Sequence, residues 1–357
     1  MITSRSIQVA GWGLYLTCSW TWCIGMFLPI VLLHRYGWPG LLLFAVPNLI
    51  GCAAFGYVVA TPERSRRLVA QYRGAMKIFA AVTIAFHALF LAMIARWYMP
   101  PADSTLSIAL PAGVVLIGLA LTALPTRLWP ILAAGVWALS IVAALTLLPV
   151  DLGAEGTRPW QEVVWLLPIT SFGFLLCPYL DPTFHRAMQE SPSKHAFAVF
   201  GVAFALMIVL TCLYRDVIVV GIGSVVAIHM ITQSVFTVGA HFREAGGRWA
   251  FRIAAVLFAG VAIAAAHRTY ADSFTAVDDY LRFFVFYGLI FPAMVALFMW
   301  TGRRLTPLRI ALFALAILFS LPLLEAGYIR DAAWLTALPV IVFVTWAFAT
   351  RYTTRGV

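Results

Sequence analysis

The chain has 357 residues, of which 63% are hydrophobic and only 11% charged, and its formal net charge is +10. An ordinary soluble domain carries about 25% charged residues, so a water-soluble fold is excluded: no aqueous core absorbs this much apolar surface. The basic excess is spread over many short polar stretches beside apolar ones, which reads as a topology determinant that favours anionic lipid rather than as a nucleic-acid surface.

A membrane span needs about 20 apolar residues to cross about 30 Å of hydrocarbon. Twelve such stretches are expected, near 9–33, 39–60, 74–97, 106–124, 127–149, 160–181, 195–213, 216–238, 249–267, 281–300, 306–325 and 332–350. The opening MITSRSIQ carries one Arg and no small-residue cleavage site, so the first span is expected to be retained. With an even number of spans both termini share a side, and that side receives 17 Lys and Arg, from Arg5 to Arg355, against seven on the other. The bias places both termini in the cytoplasm, in an integral, multi-pass protein of a bacterial inner membrane. Cys18, Cys23, Cys52, Cys177 and Cys212 all fall inside spans. Cys18 and Cys23 point about 140° apart on a helix, so no disulfide framework is expected.

In span 1 the run CSWTWCIGMFLP, Cys18 to Pro29, sets Gly25 four residues before a proline. Proline has no N–H for the residue-25 carbonyl, and a bare acceptor in hydrocarbon costs several kcal/mol unless protein, water or an ion meets it. The helix is expected to open around Gly25, with a simple proline kink as the alternative. Trp20, Trp22 and Phe27 beside it are candidates for stacking on an organic solute. In span 3 His87 sits at mid-depth, as does His229 in span 8, 142 residues on. An ionisable group at that depth is a functional candidate, here as carrier of a coupling proton, against a neutral imidazole bonded to a neighbouring span.

Span 6 contains SFGFLLCPYLDP. Asp before Pro is a helix start, so one half-helix is expected to end near Leu176, an extended stretch to run from Cys177 to Leu180, and a second half-helix to run from Pro182 to about Glu190. Phe174, Cys177 and Tyr179 are candidate solute contacts there. Asp181, His185 and Arg186 are candidate gating groups, His185 and Arg186 acting through Glu190 or Glu244. Cys23, Cys177, His87 and His229 together would suit a soft metal, but their spacing follows no ligand pattern, and no metal or other cofactor is expected. Spans 1–5 and 6–10 overlay with a shift of about 140–155 residues, which divides the chain into repeats 9–150 and 160–300, inverted because five is odd, with 306–350 as two added helices.

The run IGMFLPIVLLHRYGWPGLLLFAVPNLIG, Ile24 to Gly51, resembles the broken first span and following span of leucine-transporter-fold proteins, of the amino acid-polyamine-organocation superfamily. The run FGFLLCPYLDPTFHRAMQESPSKHAFAVFGVAF, Phe172 to Phe204, resembles the corresponding region of solute:sodium symporters. The resemblance implies a five-plus-five inverted repeat, a solute site among spans 1, 3, 6 and 8, and a sodium ion between spans 1 and 8. Relatives place adjacent hydroxyls on span 8, whereas here Gln233 separates Thr232 from Ser234. A reduced site from Thr232 or Ser234 with carbonyls near Cys23 stays open. The connection Tyr214-Arg215-Asp216 is too short for an extracellular gate.

The expected function is secondary active transport of a small organic solute, coupled to sodium or to a proton, with Trp22, Cys23, Gly25, Phe27, His87, Phe174, Cys177, Tyr179 and His229 around it. A sensory module that binds a ligand on this fold without pumping, or a lipid-handling protein, are the alternatives. No catalytic set and no nucleotide-binding loop stand out, so an enzyme is not expected. Membrane lipid is the one other partner visible.

Overall fold

The computed structural model describes residues 4–98, 105–146, 158–214, 224–247, 249–269, 273–303 and 306–352, and among these every regular element is helical. In chain order α1 is Ser4–Trp20, α2 Cys23–Val59, α3 Pro62–Tyr98, α4 Leu106–Leu121, α5 Trp129–Leu145, α6 Leu167–Leu176 and α7 Pro182–Glu190. They are followed by α8 Ala196–Leu213, α9 Ser224–Glu244, α10 Trp249–Thr269, α11 Ser273–Val285, α12 Pro307–Tyr328 and α13 Ala337–Tyr352. Arg215 and Asp216 of the short connection lie outside the described residues.

Nine stretches of the described residues are helical, long and apolar enough to cross a membrane. That fixes an all-α, multi-pass membrane protein. Helix α4 is equally apolar but shorter, while α1 and α9, where two further spans are expected, fall outside the nine.

The first two expected spans are joined by one residue. Helix α2 turns at Gly37, whose φ of 67° and ψ of −160° lie where only glycine is unstrained, and Pro39 then starts the continuing helix. Helix α3 bends at Tyr72 (φ −114°, ψ 22°).

The interruption in span 6 falls where Asp-Pro places it. Helix α6 ends at Leu176, and Asp181, in extended conformation, starts α7 by accepting from the Thr183 N–H at 2.7 Å. Between them Cys177–Tyr179 form a 3₁₀ turn rather than the expected extended stretch. The tighter turn brings the Leu180 N–H within 2.9 Å of the Cys177 carbonyl, an acceptor that an extended chain would leave bare. After α11 the chain widens into π turns, Phe286–Ile290 and Val295–Met299, on either side of Pro292. A π turn absorbs the donor that proline lacks.

The chain forms two compact units, each drawn from three segments. The first comprises Met1–Val31, Cys52–Gly153 and Asp181–Tyr280. Within it α3 packs on α10, α4, α7 and α9, and α1 packs on α8 and α5. The apolar part of helix α3, past its charged first turns, runs through the centre: 89% of its most apolar window is buried, enclosed by other helices. The second comprises Leu32–Gly51, Ala154–Leu180 and Leu281–Val357. In it α13 packs on α6, while α12 buries only 22% of its apolar window and turns the rest outward.

Candidate functional site

The interruption of span 1 lies earlier than Pro29 suggests. Helix α1 ends at Trp20 and α2 begins at Cys23, so the opened residues are Thr21 and Trp22, and Gly25 sits inside an intact first turn. Proline does bare the Gly25 carbonyl, and the Thr211 hydroxyl on α8 reaches it at 3.1 Å, its one proton shared with the nearer Met207 carbonyl at 2.9 Å. A side chain 186 residues distant thus offers a shared donor to the carbonyl that was expected to open the helix. Thr211→Val, which keeps shape and removes the donor, is expected to lower unfolding stability in detergent by about 1 kcal/mol. An unchanged denaturation midpoint would show that the carbonyl is met by other means.

Every carbonyl in the last turn of α1 has a protein donor. Thr17 O accepts the Thr21 N–H at 2.8 Å and its hydroxyl at 2.7 Å; Cys18 O accepts the Thr237 hydroxyl at 3.0 Å. Ser19 O accepts the Trp22 indole N–H, and Trp20 O accepts the Trp22 backbone N–H at 2.8 Å. At the start of α2 the Cys23 N–H donates to His87 Nε2 at 3.3 Å, and Tyr280 donates to the Cys23 carbonyl at 3.1 Å. His87 Nδ1 stands 2.8 Å from the Thr83 carbonyl, which only accepts. The network therefore assigns the proton to Nδ1 and the lone pair to Nε2: His87 is a neutral imidazole capping a half-helix, with both nitrogens committed.

Among the described residues no hydrogen bond joins the expected ion ligands to one another. Cys23 spends its carbonyl on Tyr280, and the Thr232 hydroxyl turns back on its own helix, to Ile228 O at 2.8 Å and His229 O at 3.2 Å. Ser234 is buried without a hydrogen-bond partner among the described residues. The hydroxyl of α9 that meets α1 is that of Thr237, which lies beyond the Thr-Gln-Ser run. Trp22 and Phe27 are buried against other rings: Trp22 against Trp20 at 4.2 Å and Phe79 at 5.4 Å, Phe27 against Tyr280 at 5.1 Å and Phe90 at 5.8 Å. In the second unit Phe174 packs edge-on to Phe44 at 5.0 Å, the Cys177 thiol donates to the Tyr287 carbonyl at 3.2 Å, and half-buried Tyr179 closes the 3₁₀ turn.

A polar stripe runs down α9. His229, Gln233, Thr237, His241 and Glu244 follow at intervals of four, four, four and three residues, a band about 120° wide and about 22 Å long. The first four are fully buried and the Glu244 side chain is 3% exposed. On α5 the Ser140 hydroxyl lies 3.0 Å from the Val136 carbonyl, 2.8 Å from His229 Nδ1 and 3.1 Å from Gln233 Nε2. Its single proton goes to the carbonyl, so it accepts from both others, and His229 carries hydrogen on Nδ1. His229 Nε2 is then a buried lone pair with no protein partner among the described residues. Gln233 Oε1, both ring nitrogens of His241, the Tyr15 hydroxyl and Asp181 Oδ2 are likewise buried and unpartnered. Spacing of four in an otherwise apolar helix was the available signal for Thr237 and His241, while Glu244 was already a candidate gating partner.

At the Glu244 end Arg186 joins two carboxylates, Glu244 at 2.6 Å and Glu190 at 2.9 Å, and Arg243 stands 3.2 Å from Glu244. His185 does not share this cluster. Its Nδ1 lies 2.9 Å from the Ser65 hydroxyl, which Gln189 also reaches at 2.9 Å. One helical step of about 100° separates the two neighbours, so Arg186 and His185 tie α7 to different helices. Asp181 serves first as a helix cap, its Oδ1 accepting from both the N–H and the hydroxyl of Thr183. Among the described residues no three of His, Cys, Asp and Glu are grouped as metal ligands.

No protein-family model matches the chain, and no curated protein matches it.

Proposed function

We propose that the protein is a secondary transporter of a small organic solute, built on twelve spans with a five-plus-five inverted repeat of leucine-transporter type and working with both termini in the cytoplasm. The observation that carries the reading is the pair of interrupted helices, one opening at Thr21 and Trp22 and the other at Cys177 to Asp181, inside spans that are otherwise apolar. Irregular backbone at membrane depth is tolerated where it is enclosed by protein or lines a cavity, and paired interruptions are a hallmark of such transporters.

The coupling ion in this reading is a proton rather than sodium. Sodium bound at a half-helix end takes bare carbonyls, and the four in the last turn of α1 already accept from Thr21, Thr237 and Trp22. His229 offers a buried Nε2, unpartnered among the described residues, on a stripe that ends at Glu244, whereas both nitrogens of His87 are engaged. Solute contacts in the larger unit come from Trp22, Cys23 and the Gln233 to His241 stretch of α9.

The test is uptake into proteoliposomes from a panel of amino acids, sugars and carboxylates under an imposed pH or sodium gradient. The expected result is accumulation of one class driven by the pH gradient, indifferent to sodium, and lost in His229→Gln while exchange persists. Accumulation that requires sodium would overturn proton coupling. Saturable binding of a solute without accumulation under either gradient would instead assign a sensory module, the reading that the fully satisfied α1 terminus favours.

A further inference from the structure

Beyond the solute site, we propose that the larger unit carries a separate site for a phosphate-bearing anion at the membrane face where α3, α7 and α9 meet. A cavity of about 460 Å³ opens there, lined by Arg66, Arg73, Lys77, Arg186 and Arg243 with Glu244 as the one carboxylate. Five cations face one anion, and the imbalance falls on particular residues. Arg186 and Arg243 share Glu244, Arg186 also holds Glu190, and Arg66 stands 3.9 Å from Glu63. Arg73 and Lys77 have no ion-pair partner among the described residues; the Lys77 ammonium lies 5.9 Å from the Phe251 ring centre.

Those two cations are four residues apart, on the same side of α3 just past its bend at Tyr72, so they present charge to the cavity together. An arginine supplies a planar fork that suits phosphate oxygens and a lysine adds a mobile point charge. The cavity lies in the size range of sites for small organic ligands, larger than a bare phosphate needs, which suits a phosphate with an organic substituent. A bound anion would also draw on Arg186 and Arg243 and so compete with Glu244 for them. Occupancy therefore loosens the tie between α7 and α9.

The phosphate group has two sources, a soluble phosphorylated compound or the headgroup of an anionic lipid, and one experiment separates them. The full-length protein is melted in uncharged detergent with pyrophosphate against sodium chloride of equal ionic strength, and in nanodiscs of phosphatidylcholine with and without phosphatidylglycerol. A saturable rise in melting temperature is expected in at least one arm: pyrophosphate in detergent marks a soluble ligand, phosphatidylglycerol alone marks the lipid. Arg73→Gln with Lys77→Gln, at exposed and half-buried positions, should leave the ligand-free melting temperature unchanged and weaken the response about tenfold or more, while Lys77→Arg retains it. A response equal in the double variant and the parent, or no response in either arm, overturns the site.

Discussion

Gly51→Ala is expected to cost about 2 kcal/mol or more of stability, and Gly25→Ala to cost nothing or to stabilise. A Cβ built on Gly51 falls 2.4 Å from the Phe174 carbonyl oxygen and 2.8 Å from the Leu175 Cα. Both obstacles are backbone of α6, inside the second unit, so relief requires a whole helix to move. Close backbone approach through small residues is the main device for packing helices in lipid, where apolar side chains gain little by leaving the bilayer. At Gly25 the nearest atoms to a Cβ are a Phe204 ring carbon at 3.6 Å and the Trp20 carbonyl at 3.7 Å, ordinary contacts. The intrinsic gain of alanine over glycine in a helix, at most about 0.5–1 kcal/mol and smaller in a first turn, is then free to appear. Unfolding of the two variants in the same detergent compares them directly. A stable Gly51→Ala would mean that α2 and α6 are not in backbone contact, and a crippled Gly25→Ala would restore Gly25 as the opening of span 1.

The contrast shows which parts of the fold local sequence encodes. Asp181-Pro182 carries its own start signal, an acceptor for the first free amides followed by a ring already fixed at helical φ, and α7 begins there. Single-residue geometry likewise sets the turn at Gly37. The interruption at Thr21 and Trp22 has no such signature: Trp22 makes no side-chain cap bond, and the groups that stabilise it, His87, Thr237 and the Trp22 indole, belong mostly to helices far along the chain. Proline marks where a helix loses a donor, not whether another helix supplies one, so Gly25 was the expected opening and Thr211 the reason it stays closed. His87 and His229 look equivalent by depth and differ only in their neighbours. Ser140, which fixes the His229 tautomer, is 89 residues away and carries no signal within the apolar run WALSIVAAL. The α9 stripe was half visible because His229 falls within the apolar window and Glu244 was named for its charge, while His241 lies past the window's end with no charge partner to mark it.

Arg186→Ala is expected to destabilise the protein by about 3 kcal/mol, and Glu244→Gln in the same chain to recover most of that loss. The Glu244 side chain is 3% exposed, so removing its closest cation, 2.6 Å away, leaves a buried carboxylate short of compensation. Breaking such a pair typically costs 3–5 kcal/mol, and the low end applies because Arg243 remains 3.2 Å from the same carboxylate. The Arg186 to Glu190 pair adds little, since an i,i+4 pair of partly exposed side chains contributes about 0.3–0.5 kcal/mol. The measurement is a denaturation series on Arg186→Ala, Glu244→Gln and the double variant. Equal losses in Arg186→Ala and the double variant would place the cost in lost packing of the arginine stem and remove the ion pair as the tie. The pair matters for mechanism because it ties α7 to α9, while His185 meets Ser65 of α3. Any conformational change that carries α7 away from α9 has to separate a 2.6 Å charge pair, so the double variant, which lacks it without leaving a bare carboxylate, should change conformation more readily than the parent while remaining comparably stable.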